Sequence, residues 1–243
     1  MPRQRIRWIA VVLPIVAGLA LLAWSVRPDP GAAREPVGLF TSLPLIWAET
    51  EDPRQLLDQR QARHRAKIAF DALGPIRPLD TLEHLDGSLK RMIIAQPRPL
   101  SPAENVALDR WLREGGRVLL FADPLLTEPS AYALGDPRRP QDVVLLSPIL
   151  SHWGLELVFD DQQPGGVRTI AVAGSALPVD LAGGWIVHGG KCRLEGEGVL
   201  VTCQVGRGRL VALADAEVLA AHDPGQLRQT ALANLLRRSF GQP

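Results

Sequence analysis

Consecutive apolar residues, more than alternating ones, mark the middle of this chain. Arg91 to Gln96 (RMIIAQ), Arg117 to Asp123 (RVLLFAD) and Arg209 to Asp215 (RLVALAD) each carry a hydrophobic run between polar or glycine residues. A strand covered on both faces reads this way, because neither face is wetted, and such strands are typically parallel. Gly38 to Ser42 (GLFTS) predicts a further strand and Ile76 to Asp80 a short extended piece. Leu56, Leu57, Ala66, Phe70 and Leu73 recur at roughly helical spacing, so residues 53–73 predict a helix closed by Gly74-Pro75. Ser101-Pro102-Ala103-Glu104 reads as an N-cap, a proline at the first helical position and the glutamate of a capping box. The helix it starts should run to about Glu114, with Val106, Leu108, Trp111 and Leu112 on its apolar side and Gly115-Gly116 as its stop. Strand, helix, strand in this order predicts a right-handed parallel crossover.

The pattern then loosens. Residues 124–140 are rich in turn formers and predict an irregular excursion, residues 147–153 one or two helical turns, and residues 156–159 a strand. After Gly165-Gly166, short strands at 167–173, 185–188, 191–194 and 199–205 predict a small antiparallel patch. Residues 224–240 predict an amphipathic C-terminal helix with Leu227, Ala231, Leu235 and Leu236 inward.

At the other end, Trp8 to Val26 (WIAVVLPIVAGLALLAWSV) contains no charge. At ~1.5 Å of rise per residue it nearly spans a ~30 Å hydrocarbon core, so residues 8–26 predict a transmembrane helix. Trp8 and Trp24 suit its two interfaces, and Arg3, Arg5 and Arg7 in residues 1–7 place that flank in the cytoplasm. The run exceeds the ~7–15 residues of a signal-peptide core, and SVRPDPG is not a small-x-small cleavage site, so the anchor reads as uncleaved. Residues 27–36 then form a Pro/Gly/Ala-rich linker, and residues 37–243 one extracytoplasmic α/β domain. The expected location is the inner membrane, single-pass, with the main domain on the periplasmic side.

Charge narrows the partners. The chain has 27 Lys+Arg against 26 Asp+Glu, and removing the three N-terminal arginines leaves 24 bases against 26 acids. A slightly acidic body is a poor phosphate tracker, so nucleic acid is not an expected partner, whereas the membrane is. Two cysteines are too few for a disulfide scaffold, and they offer no zinc spacing. If Glu197-Gly198 is the centre of a hairpin turn, Cys192 and Cys203 fall opposite each other and predict a disulfide in an oxidising compartment; two small buried thiols are the alternative.

Two stretches, GGRVLLFAD at 115–123 and GRGRLVALAD at 206–215, share an apolar strand ending in Ala-Asp. If both strands are parallel, Asp123 and Asp215 emerge on the sheet edge where open α/β sheets bind ligands. Thr41, Ser42 and Gln96 stand at other strand ends, so the five residues form a candidate site for a cation or polar ligand. The bland alternative is that Asp123 forms a turn with Pro124 and Asp215 caps a helix.

The segments SPAENVALDRWLREGGRVLLFADP, GLFTSLPLIW, GRGRLVALADAEVL and RQTALANLLRRSF together resemble membrane-anchored proteins related to the auxiliary component of the gliding-motility ABC transporter. The extracytoplasmic domain of that family is similar to class I glutamine amidotransferases. The resemblance covers most of residues 37–240 and implies a three-layer, flavodoxin-like domain with a mostly parallel sheet, working without catalysis beside an ABC transporter permease or other envelope proteins. An amidotransferase needs a cysteine nucleophile on a strained turn after a buried strand. Here the matching turn reads PRPLSP and has no cysteine, and its hydroxyl, Ser101, is explained by the helix cap. His64, His84, His152, His188 and His222 show no metal or triad spacing, and His64 reads as solvated on a basic helical face. No phosphate-cradling glycine motif follows a strand, so no cofactor and no metal are expected. The leading expectation is a non-catalytic binding or scaffold component; an amidotransferase-like hydrolase with an unidentified nucleophile and a ligand-sensing domain are the alternatives.

Overall fold

The computed structural model of the protein describes residues 34–46, 49, 64–221 and 225–241. The 8–26 stretch and most of the 53–73 segment lie outside these residues. Among the described residues, no helix is long and apolar enough to cross a membrane.

Five parallel strands form the centre: β1 (Val37–Thr41), β2 (Ile76–Pro78), β3 (Arg91–Ala95), β4 (Arg117–Phe121) and β11 (Gly208–Leu213), in the spatial order β2-β1-β3-β4-β11. Two antiparallel strands, β10 (Leu200–Val205) and β9 (Lys191–Glu195), extend the sheet beyond β11. The predicted antiparallel patch is therefore not one unit. Beside that extension there are two separate ribbons, β5 (Leu155–Val158) with β8 (Gly184–Val187) and β6 (Arg168–Val172) with β7 (Ser175–Val179). The pattern did not predict β7, because Pro178 lies inside it and argues against a strand interior; the ribbon is only two strands wide, so an edge is available for that proline.

Every residue from Val118 to Ala122 is buried, so both faces of β4 are covered, as its unbroken apolar run predicts. Fully burying a side chain such as Leu119 contributes about 2 kcal/mol. Helix α1 (Arg65–Asp71) packs with α4 (Gln226–Phe240), which lies against β4 and β11, while α2 (Pro102–Arg113) packs with α3 (Ser147–His152) and on β11. Gly208 lets β11 pass under the end of α2: a Cβ there would stand 1.8 Å from the Leu112 carbonyl oxygen.

Two inward assignments change. The inner stripe of α2 is Glu104, Leu108, Trp111 and Leu112, while Val106 is 59% exposed. Val106 lies two residues from Glu104 and Leu108, about 200° around the helix. Likewise Leu227 is exposed and Arg228 is buried next to it, in an ion pair with Glu217.

Glu104 explains how a charge takes a core position. Its carboxylate accepts from Thr81 Oγ1, the Leu82 amide, the Ser101 amide and both terminal nitrogens of Arg98, at 2.7–3.1 Å. The Ser101 hydroxyl in turn accepts from the Glu104 amide, completing the capping box. The Arg98 guanidinium, helped by the two backbone amides, outweighs burial and holds this carboxyl down at about 2. The network fixes residues 97–101, the turn that leaves β3.

Candidate functional site

The parallel strands end together, and four of them deliver the five predicted residues to one edge. Thr41 and Ser42 leave β1, Gln96 leaves β3, Asp123 follows β4, and Asp215 follows β11. In an open α/β sheet, the crevice outside the strand ends lies where chain order reverses, here between β1 and β3.

Gln96 stands at that crevice in a left-handed conformation, φ 41°, although it is not glycine. Such a backbone is uncommon and costs of order 1 kcal/mol, so its surroundings must enforce it. They do. Its amide nitrogen donates to Asp123 O at 3.0 Å and to Gln141 O at 2.8 Å, and its Oε1 accepts from the Asp123 amide at 2.9 Å. Its own amide donates to Phe121 O, and the side chain is fully buried. The Ser42 hydroxyl donates to Gln96 O and accepts from the Gln141 amide at 3.0 Å. Thr41 Oγ1 accepts from the Leu43 amide at 2.9 Å, turning the chain after β1. Gln141 thus sits on the switch point, and the excursion between β4 and α3 is pinned across it.

The two aspartates are likewise engaged with backbone. Asp123 accepts from the Leu125 amide at 2.9 Å and the Ala216 amide at 3.1 Å; Asp215 accepts from the Asp180 amide at 2.9 Å and the Glu217 amide at 2.6 Å. Both are buried. Burial, partly offset by those amides, pushes the Asp123 carboxyl up to about 6. Burial and then the charge of Asp123 raise Asp215 well above the usual carboxylate range. The pair ties the turns after β4, β7 and β11 into one knot.

Beside Asp123 is a cavity of about 30 Å³, bordered by Leu43, His64, Leu126, Glu128 and Glu217. That is room for one or two waters, not for a cofactor. His64, Glu128 and Glu217 are site neighbours that the sequence reading did not place here. His64 is not a solvated residue of a basic face. It is partly buried, its Nδ1 accepts from the Ala66 amide and caps α1, and burial lowers its pKa against the opposing pull of Glu128. The signal was available: His64 directly precedes the helical run RAKIAFD, where a cap belongs.

Among the described residues, no serine, threonine or cysteine is hydrogen-bonded to a histidine, and no group of three or more metal-ligating side chains occurs. Cys192 and Cys203 form a disulfide across β9 and β10 in the register predicted from the hairpin centre.

No family model matches the chain, and no curated protein matches it. Solved structures superpose on it. A GH42 β-galactosidase from G. stearothermophilus, Gan42B, superposes with a TM-score of 0.51 at 16% identity over 87% of this chain and 30% of that one. The exo-β-1,4-mannosidase Op5Man5 from an Opitutaceae bacterium gives 0.48 at 15% identity, over 84% of this chain and 35% of its own. A ThuA-like protein from Bacteroides uniformis gives 0.46 at 10% identity, over 88% and 96%. The chain spans about a third of the length of the two glycosidases, and at these identities the likeness to Gan42B is one of fold alone.

Proposed function

We propose that the protein is a single-pass, membrane-anchored component whose extracytoplasmic three-layer domain acts without catalysis as a binding or scaffold part of an ABC-type transport or envelope system. The order of the parallel strands, 2-1-3-4-5 when they alone are counted, is that of flavodoxin-like folds and supports the finer assignment. The observation that carries the non-catalytic reading is Gln96. A strained turn directly after a buried strand is where an amidotransferase-type enzyme presents its nucleophile. In this chain the residue is a buried amide whose polar atoms are all bonded to backbone. The hydrolase alternative loses its natural nucleophile position. The disulfide favours an oxidising compartment, and the charge-free stretch of residues 8–26 supplies the anchor.

The test is membrane fractionation with protease accessibility, followed by photocrosslinking from position 106 on the exposed side of α2. The expected result is a membrane-bound protein, protected only at its N-terminal flank, crosslinked to an ABC permease or another envelope protein. Recovery of the intact chain in the soluble fraction, or amidase or esterase turnover by the purified protein, would overturn the proposal.

A further inference from the structure

The disulfide holds an edge strand of the main sheet that the core barely touches. β9 is one of the sheet's two edges, and among the described residues β10 is its only strand neighbour. Lys191, Arg193 and Leu194 are exposed, and the side chain that β9 packs against the core is that of Cys192. Opposite it, Cys203 is buried, with a Cα–Cα separation of 4.1 Å, the spacing of a pair that exchanges no backbone hydrogen bonds. Beyond the ladder and the disulfide, the far end of β9 is held by the ion pair of Glu195 with Arg238 on α4. Gly196 closes the strand in a left-handed conformation, so close to β6 that a Cβ would lie 2.6 Å from Val172. Gly190 marks the other end, also left-handed. A short strand bounded by two such glycines has natural points at which to open.

We propose that Cys192–Cys203 is a redox-sensitive clamp on this edge, opened by a dithiol reductant. A thiolate of the dithiol attacks Sγ of Cys192, the less buried residue of the pair, and forms a mixed disulfide there. Cys203 leaves as a thiolate and takes up a proton. The second thiol of the reductant then displaces Cys192, so two electrons and two protons pass to the protein and the dithiol becomes a disulfide. With the bridge gone, β9 keeps its ladder and one ion pair but loses the link that limited its opening, and the edge of β10 becomes available for pairing. This clamp does not depend on the scaffold reading.

Closing an eleven-residue separation restricts the opened strand by loop-closure entropy that amounts to about a hundredfold in the opening equilibrium. Hydrogen exchange of the full-length protein in detergent, with and without dithiothreitol and coupled to thiol alkylation, reads this directly. On reduction, Cys192 should be alkylated first. The ladder amides of Lys191, Arg193 and Glu195, and those of Leu200, Thr202 and Gln204 that face them, should lose about a hundredfold in protection, while those of Val201, Cys203 and β11 keep theirs. Reduction that occurs only together with loss of protection across β11, or a reduced protein that retains its β9 protection, would overturn the proposal. The double variant Cys192→Val/Cys203→Val keeps apolar packing without the bridge. Its β9 should exchange like that of the reduced protein whether or not reductant is present; protection equal to the oxidised protein would mean that burial, not the bridge, holds the strand, and the clamp would fall.

Discussion

Replacing Gln96 by alanine tests whether this residue pins the carboxyl edge. The truncation removes three side-chain hydrogen bonds. Asp123 O retains a partner in the Val144 amide, so its loss is small. The Asp123 amide and Gln141 O lose their Gln96 partners, and an orphaned buried donor costs about 1–3 kcal/mol. With the small void left by one methylene and an amide, the expected cost is about 3–4 kcal/mol. Glycine at the same position forfeits the same bonds but relieves the left-handed backbone. That relief, about 1–2 kcal/mol, is partly offset by the freer unfolded chain, so Gln96→Gly should be more stable than Gln96→Ala by about 0.5–1 kcal/mol. Guanidinium unfolding followed by the fluorescence of the buried Trp111, Trp153 and Trp185 measures both. A loss below about 1 kcal/mol for the alanine variant, or alanine tolerated better than glycine, would refute the assignment of Gln96 as a strained structural pin.

Three further outcomes follow from named groups. Asp123 has a folded pKa of about 6 against an ordinary value of 3.8, so the native state binds the proton more tightly. Stability is then fully present below about pH 4 and falls by about 3 kcal/mol as pH rises through 6, with Asp215 acting in the same sense; unfolding midpoints between pH 4.5 and 7.5 should show the fall, and Asp123→Asn should flatten it. Glu104, held at about 2, contributes in the opposite direction: its stabilisation is present above about pH 4.5 and lost as pH drops toward 2. Glu104→Ala should cost about 3–4 kcal/mol in the same assay at pH 7, chiefly by orphaning the Leu82 and Ser101 amides that donate to its carboxylate. Gly208→Ala drives a methyl group into the Leu112 carbonyl and should cost more than about 3 kcal/mol or prevent folding, visible as loss of soluble expression or of the cooperative transition.

The parallel core was legible because its strands are wet on neither face, and an unbroken apolar run has few other readings once length and flanking glycines are considered. The α2 boundaries were legible because capping chemistry is local: Ser101, Pro102 and Glu104 announce themselves within four residues. The cysteine pairing was legible because hairpin register is arithmetic. The antiparallel half was not, since four short strands separated by glycines permit several pairings, and the choice of β8 for β5 is made by long-range packing. Val106 and Leu227 were misplaced for one common reason. An apolar residue beside a buried charge shifts the apparent stripe, and a buried Glu104 or Arg228 is invisible until its partner is known.

The candidate site shows where such reading stops. Topology alone brings Thr41, Ser42, Gln96, Asp123 and Asp215 to one edge, and that much follows from strand order. Whether an edge is open or closed depends on the connections that cross it, and the decisive one is an irregular excursion whose Gln141 lies 45 residues from Gln96 in the chain. Hydrogen-bond capacity at the edge is used by backbone: every side-chain acceptor of Asp123 and Asp215 named above meets an amide of a neighbouring turn. A ligand entering between β1 and β3 would have to displace Gln141 and remove one hydrogen bond each from the Gln96 amide and the Ser42 hydroxyl. A hydrogen bond lost in this way costs about 0.5–1.5 kcal/mol unless the ligand replaces it. The polar residues that make this edge resemble a binding site therefore also weigh against its opening, and under the proposed function the contacts to partners fall on exposed faces such as that of Val106, the position chosen for crosslinking.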